Sequence, residues 1–320
     1  MQNIVALLWI ALGMFMIVRS ADYLVKGAAS FAKKHRISEI VIGLTIVSFG
    51  TSAPELIVST LSAWQGHSSI AIGNVLGSNI FNILLILGIS GLIFPLQVQR
   101  NTVWKEIPLA LAAVIVMLVM ANDQWLDAQP FSLISRSEGI VLLLFFAIFL
   151  VYVFVIAKVE GDEQTAVEIY SSQWMFFYIL GGLVGLFIGG RLVVNHGVEI
   201  ATAFGISEKL IGLTLIAIGT SLPELATSVV AAWRKNSDIA IGNIIGSNIF
   251  NIFFILGTSA VIAPLPFEIQ LNADMLVLLL ATIFIFIFMF TGQKRRLDRW
   301  EAALFLAIYI GYTTFIILRK

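Results

Sequence analysis

Apolar residues run through this chain in long blocks, and polar residues gather in the short intervals between them. A bilayer-crossing helix needs about 20 predominantly apolar residues. Ten blocks of that order lie near residues 4–31, 39–63, 69–93, 104–121, 138–158, 173–203, 208–232, 239–263, 273–291 and 300–318. The first block is apolar for about 15 residues before Arg19 and has no basic stretch ahead of it, so it reads as a retained span and not a cleaved signal peptide. One long polar interval, from Lys158 to Gln173, carries Glu160, Asp162, Glu163 and Glu168. It divides the chain into a first half (1–158), a linker (159–172) and a second half (173–320), each half with five spans. The expected fold is an all-α integral membrane protein of ten transmembrane helices.

The two halves are copies. Residues 37–95 align without gaps on 206–264 with about 35 of 59 positions identical, including Gly77-Ser78-Asn79-Ile80-Phe81-Asn82-Ile83 against Gly246-Ser247-Asn248-Ile249-Phe250-Asn251-Ile252. Because each half has an odd number of spans, the second enters the membrane in the opposite sense, giving two inverted five-helix repeats. The basic residues agree. With both termini outside, the inner loops hold twelve (Lys33, Lys34, Arg36, Arg100, Lys105, Lys158, Arg234, Lys235, Lys294, Arg295, Arg296 and Arg299), while the outer side keeps four, Arg136, Lys209, Arg319 and Lys320. That bias is the positive-inside rule, and it expects a multi-pass membrane protein with both termini outside.

Composition narrows the class. Of 320 residues, 59% are hydrophobic and 12% charged, against roughly 25% charged in soluble domains. Nineteen basic residues balance nineteen acidic ones, so nothing points to nucleic acid, and the bilayer is the expected surrounding. Cysteine is absent, which removes disulfides, thiolate catalysis and cysteine-based metal sites.

Against that background two carboxylates stand out. Glu55 in Gly50-Thr51-Ser52-Ala53-Pro54-Glu55 and Glu224 in Gly219-Thr220-Ser221-Leu222-Pro223-Glu224 occupy equivalent places inside apolar spans. A charge at bilayer depth costs at least about 2.5–3.5 kcal/mol, so such residues face a protein interior or an ion path. No basic residue lies in their spans at similar depth. Pro54 and Pro223 lack an N–H and clash with the carbonyl four residues back, so each helix must kink or break there. Broken backbone at membrane depth is tolerated where it lines a cavity. Thr51, Ser52, Glu55 and Ser59 fall at helical neighbour spacings, and so do Ser78 with Asn82 and Ser247 with Asn251. Gly73, Gly77, Gly242 and Gly246 allow close helix approach.

The two copies thus offer carboxylate, hydroxyl, amide and main-chain oxygens without sulfur or imidazole. All-oxygen sets suit hard cations, and calcium takes 6–8 oxygens at about 2.3–2.6 Å. Two carboxylates sharing a low-dielectric site repel unless cations lie between them. One Ca2+, or two Na+ with a third spread over the hydroxyls, neutralises the pair. Competition between those fillings at a site open to one side at a time suffices for exchange, with no covalent step and no cofactor.

With these paired motifs the chain resembles the cation/Ca2+ exchanger superfamily, in its prokaryotic Na+/Ca2+ antiporter branch, over essentially its whole length. The resemblance implies a ten-helix exchanger fold in which helices two, three, seven and eight form the ion-binding core and the long first and sixth helices slide across it. It implies that the chain transports Ca2+ and Na+ and functions as a monomer. It also implies metal ligands at Thr51, Ser52, Glu55, Ser78 and Asn82, and at Thr220, Ser221, Glu224, Ser247 and Asn251, with backbone carbonyls of Ser48 and Ala217 reaching ions. Several relatives carry Asp where this chain has Asn251, so only two acids remain in the core.

Alternatives stay in view. A proton/calcium or other cation antiporter is one, less closely resembled because proton/calcium exchanger motifs do not read as a paired GTS-x-PE; a passive cation channel is another, since oxygens and a Glu pair also suit a filter, though two broken-helix copies fit alternating access better. An enzyme is not expected. An intramembrane hydrolase needs a nucleophile with a base, or metal-binding histidines, and His35, His67 and His196 are isolated. Asn79 and Asn248 can cap or staple the broken helices. Arg19, Asp22 and Lys26 read as a charge cluster near the membrane surface, Trp64 and Trp233 as interface anchors. Gly181, Gly185 and Gly189 read as a packing ladder in the sixth span, with a sliding face as the sharper alternative.

Overall fold

The computed structural model describes residues 2–155, 169–203 and 217–318 and is almost entirely helical. The first half comprises α1 (Gln2–His35), α2 (Glu39–Thr51), α3 (Ala53–Trp64), α4 (Ser68–Ile93), α5 (Thr102–Met120) and α6 (Arg136–Val155). The second comprises α7 (Ser172–Ala203), α8 (Ala217–Thr220), α9 (Leu222–Trp233), α10 (Ser237–Ile262), α11 (Ile269–Phe288) and α12 (Arg299–Leu318). Among the described residues eight helices are long and apolar enough to cross a membrane, or nine if α2 and α3 count as one bent span. The seventh expected span, 208–232, lies partly outside the described residues, and so does most of the 159–172 linker.

Local chemistry sets several boundaries. The α2–α3 break bends the span by 50° at Ser52, and Pro54 then sits in the first turn of α3, where its missing N–H is no loss. The same device recurs at Ser221, with Pro223 in the first turn of α9. A capping box opens α6: Ser135 N donates to Glu138 Oε2 at 2.7 Å while Glu138 N donates to Ser135 Oγ at 3.3 Å. In α4 and α10 the helix widens into π-helical turns, Phe81–Ile86 and Phe250–Leu256.

Two-residue antiparallel ladders tie the halves together at the ends of the bundle. Strand β1 (Leu96–Gln97) pairs with β4 (Arg296–Leu297), and β2 (Leu133–Ile134) with β3 (Leu265–Pro266). The hydrogen bonds between connections sort with them. At the β1–β4 end, Asn236 Nδ2 donates to Glu39 Oε2 at 2.7 Å, Gln99 Nε2 to Asp238 Oδ2 at 2.6 Å and Lys34 Nζ to Ser172 Oγ at 2.7 Å. At the β2–β3 end, Ser69 bonds Glu268, and Leu133 N donates to Asp123 Oδ2 at 2.9 Å. Among the described residues, connections therefore sort alternately to the two ends, and the β1–β4 end holds Lys34, Arg100, Arg234, Lys235 and Arg295, a one-sided clustering of the kind that the positive-inside rule describes.

Burial separates core from wall. Of the most apolar stretch of α10, 94% is buried, and 72% of that of α4, against 17% in α12 and 22% in α7. Helices α2, α3, α4, α9 and α10 make the centre, while α1 and α7 lie along each other outside it. Outward Leu8, Phe15, Ile148, Phe154 and Ile310 are exposed to the lipid zone, and Trp64 and Trp233 stand exposed at the ends of α3 and α9 as expected for interface anchors.

The glycine expectations come out in part. Gly242 approaches the Gly43 backbone, and Gly246 that of Leu44, so closely that a Cβ at either would sit 2.8 Å from a backbone atom. At Gly73 and Gly77 a Cβ would meet no described atom within 4 Å. In α7 the ladder is shifted: Gly182, Gly185 and Gly189 meet α1, and Gly181 is exposed. A helix turn is 3.6 residues, so a strict four-residue ladder drifts off the contact line and Gly182 takes the place of Gly181. The Arg19–Asp22–Lys26 cluster also differs: Lys26 Nζ bonds Asp22 Oδ2 at 2.9 Å, but Arg19 donates to Tyr23 and Arg234, arriving from the end of α9, takes the other face of Asp22.

Candidate functional site

The breaks at Ser52 and Ser221 and the π-helical turns of α4 and α10 meet at the centre of the bundle. Each serine crosses to the other copy. Ser52 Oγ donates to Glu224 Oε1 at 2.8 Å and lies 3.1 Å from Ser247 Oγ. Reciprocally, Ser221 Oγ donates to Glu55 Oε1 at 2.8 Å and lies 3.1 Å from Ser78 Oγ, itself 3.5 Å from Glu55 Oε1. The same-face spacing within one motif is thus only half the geometry, because each carboxylate is held by the serine of the other motif. Glu55 is 1% exposed and Glu224 0%. Among the described residues neither has a basic partner, since the ion pairs all lie elsewhere.

The amides are oriented by a cross-copy staple. Asn82 Nδ2 donates to Asn248 Oδ1 at 3.0 Å, and Asn251 Nδ2 to Asn79 Oδ1 at 2.9 Å. Asn79 and Asn248 in turn donate to one another's backbone carbonyls at 3.4 Å. Asn79 and Asn248 therefore join α4 to α10 and engage one N–H each of Asn82 and Asn251. Four acceptors here stay unsatisfied: Glu55 Oε2, Glu224 Oε2, Asn82 Oδ1 and Asn251 Oδ1 are all buried without a hydrogen-bond partner. A buried unsatisfied polar group costs about 1–3 kcal/mol, more when charged. An unprotonated oxygen left in that condition suits a cation.

The remaining expected residues line the same region with different tasks. Thr51 Oγ1 donates to Asn243 Oδ1 at 3.1 Å, and Thr220 Oγ1 to Asn74 Oδ1 at 3.4 Å. The Ser48 carbonyl accepts from Ser52 N at 2.9 Å and from Thr51 Oγ1 at 3.4 Å, while Ala217 is the first residue of α8. Ser59 is occupied by Asn74, whose Nδ2 donates to Ser59 Oγ at 2.9 Å and to the Glu55 carbonyl at 3.4 Å. Asn243 repeats this with Ser228 and Glu224. Sequence reasoning did not single out Asn74 and Asn243. The signal was present: Asn74, Ser78 and Asn82 are four apart on one helix stripe, as are Asn243, Ser247 and Asn251, all identical between copies. The chemistry on offer is reversible coordination by oxygens at a site built equally from two half-chains.

Comparison with known proteins follows the same lines. A profile of the sodium/calcium exchanger protein family matches residues 5–155 and 174–318. CaxA of Alkalimonas amylolytica, named an antiporter, is 39% identical over 97% of this chain and 98% of its own. The sodium/calcium exchanger MaX1 of Methanosarcina acetivorans is 33% identical over 94% and 95%. Among solved structures, the sodium-calcium exchanger NCX_Mj soaked with 10 mM Na+ and zero Ca2+ matches with a TM-score of 0.85 at 33% identity, covering 98% of this chain and 99% of that one. These proteins are transporters and not enzymes. With duplicated motifs, a buried oxygen-lined centre and matches along nearly its whole length, this multi-pass membrane chain belongs to the sodium/calcium exchanger family of antiporters.

Proposed function

We propose that this chain exchanges Na+ for Ca2+ across the membrane by alternating access at the site between Ser52, Glu55, Ser78 and Asn82 and Ser221, Glu224, Ser247 and Asn251, with Thr51, Thr220 and the carbonyls of Ser48 and Ala217 completing the ligands. The observation that carries this is the set of four buried, unpaired acceptor oxygens, two carboxylate and two amide, with no basic residue to balance them. Two negative charges are matched by one Ca2+ or by two Na+, so each filling expels the other. The alternation of connections between the two ends supports ten spans in two inverted halves, 1–158 and 173–320 joined by 159–172, with both termini outside. The reading includes a monomer in a prokaryotic plasma membrane, working without a cofactor. The long contact of α1 with α7 outside the core supports their sliding as the step that exposes the site to either side.

Purified protein in liposomes tests it. An outward Na+ gradient should drive uptake of radioactive calcium, and collapsing that gradient should stop it. Uptake driven by a proton gradient without Na+ would replace this reading by proton/calcium antiport. Uptake that needs no counter-ion would make the protein a channel.

A further inference from the structure

At the β1–β4 end, away from the ion site, a cleft of about 420 Å3 opens between the start of α5 and the end of α11. Three cations line it: Arg100, Lys294 and Arg295. Its wall is apolar, built from Trp104, Phe290 and Met289. The Trp104 and Phe290 rings lie 5.4 Å apart and are 57% and 49% exposed. Among the described residues none of the three cations is in an ion pair. Asp298, the acid nearest in sequence, is already taken by Arg296 and by Gln293 N. A neighbouring cavity of about 550 Å3 shares Lys294 and Arg295 and contains Glu39 and Asp238, which accept from Asn236 and Gln99. Arg295 is held in place: with φ at 59° its backbone is left-handed, its N donates to Met289 O at 2.9 Å and its O accepts from Val98 N at 2.8 Å.

We propose that this cleft binds the headgroup of an anionic phospholipid of the leaflet at this end, its phosphate between Arg100, Lys294 and Arg295 and the start of its acyl chains along Trp104 and Phe290. Guanidinium and ammonium groups bind phosphate oxygens by charge-assisted hydrogen bonds. Aromatic rings beside them at headgroup level supply the apolar contact that a free phosphate cannot use. A zwitterionic choline headgroup brings its own cation to a site that already has three.

Native mass spectrometry of the full chain, titrated with phosphatidylglycerol, tests the assignment. The parent should take up one phosphatidylglycerol well ahead of later ones. R100Q/K294Q should bind that lipid roughly 30-fold more weakly, since each lost cation near the surface is worth about a factor of five. K33Q/K34Q, with the same loss of charge at the same end but outside the cleft, should bind it as the parent does. R295N keeps a residue that accepts left-handed backbone, and W104A keeps all the charge; both should weaken binding and stand in if the double variant does not fold. Equal weakening in K33Q/K34Q would reduce the effect to a diffuse surface field and overturn the site. Equal binding of phosphatidylcholine with the same chains, or displacement by equimolar soluble glycerophosphate, would also overturn it, the latter leaving an anion site only.

Discussion

At the scale of single residues, the unpaired oxygens of Glu55 and Glu224 make the sharpest expectation. Glutamine is nearly isosteric and can still accept from Ser221 or Ser52, but it sets an NH2 donor near where an acceptor should face the ion. Glu55→Gln and Glu224→Gln should each cut Ca2+-coupled uptake by at least about 100-fold, equivalent to roughly 3 kcal/mol, with unchanged gel-filtration behaviour. Because the Ser52–Glu224 and Ser221–Glu55 bonds are equal at 2.8 Å, the two losses should be of similar size; normal uptake in both variants would sink the shared site. Protons and cations are alternative ways to neutralise this pair. Acidification should therefore inhibit transport, and raised Ca2+ should relieve the inhibition. Asn251→Asp sharpens the test. The native amide donates to Asn79 Oδ1 at 2.9 Å, a contact that a charged carboxylate cannot make unless the Asn79 amide flips and gives up its bond from Nδ2 to the Asn248 carbonyl. That variant should depend more steeply on pH than the parent. Superimposable pH and Na+ profiles would show that position 251 does not face the ions.

At the scale of elements, the crossing of α1 and α7 is where motion and packing compete. A Cβ on Gly189 would stand 2.8 Å from Gly13 O and 2.9 Å from Ile17 Cγ1, so valine there must push the helices apart, at a cost of about 1–3 kcal/mol for overpacking. If α1 and α7 slide across the core, Gly189→Val should slow exchange severalfold while leaving Ca2+ binding intact, whereas Gly181→Ala on the exposed face should do neither. Stopped-flow flux alongside equilibrium Ca2+ binding separates the two effects, and unchanged flux in Gly189→Val would argue against sliding at this contact. The bond from Arg234 to Asp22 joins α1 to the end of α9. Breakage of that bond is one of the steps that any such slide requires.

At the scale of the whole molecule, a ligand that binds only the folded centre stabilises the fold by mass action. Ca2+ at about 100 times its Kd should add about 2.7 kcal/mol and raise the melting temperature; Glu55→Gln should lose that shift. A parental shift in the variant would place the stabilising ion elsewhere. The positions of the described spans, the duplicated motifs and the carboxylate pair were legible in the chain because bilayer thickness dictates apolar block length and a buried charge needs a reason. The breaks at Ser52 and Ser221 were also legible, because proline forces them locally wherever the helix goes. What the chain alone could not show is which groups meet across copies: that Ser52 serves Glu224 and not Glu55, that Asn79 and Asn248 accept from the amides of Asn251 and Asn82, and that Gly182 and not Gly181 touches α1. Spacing within one helix determines only which side chains share its face. The partner across that face depends on how two inverted halves pack, and that is settled by contacts between residues far apart in sequence.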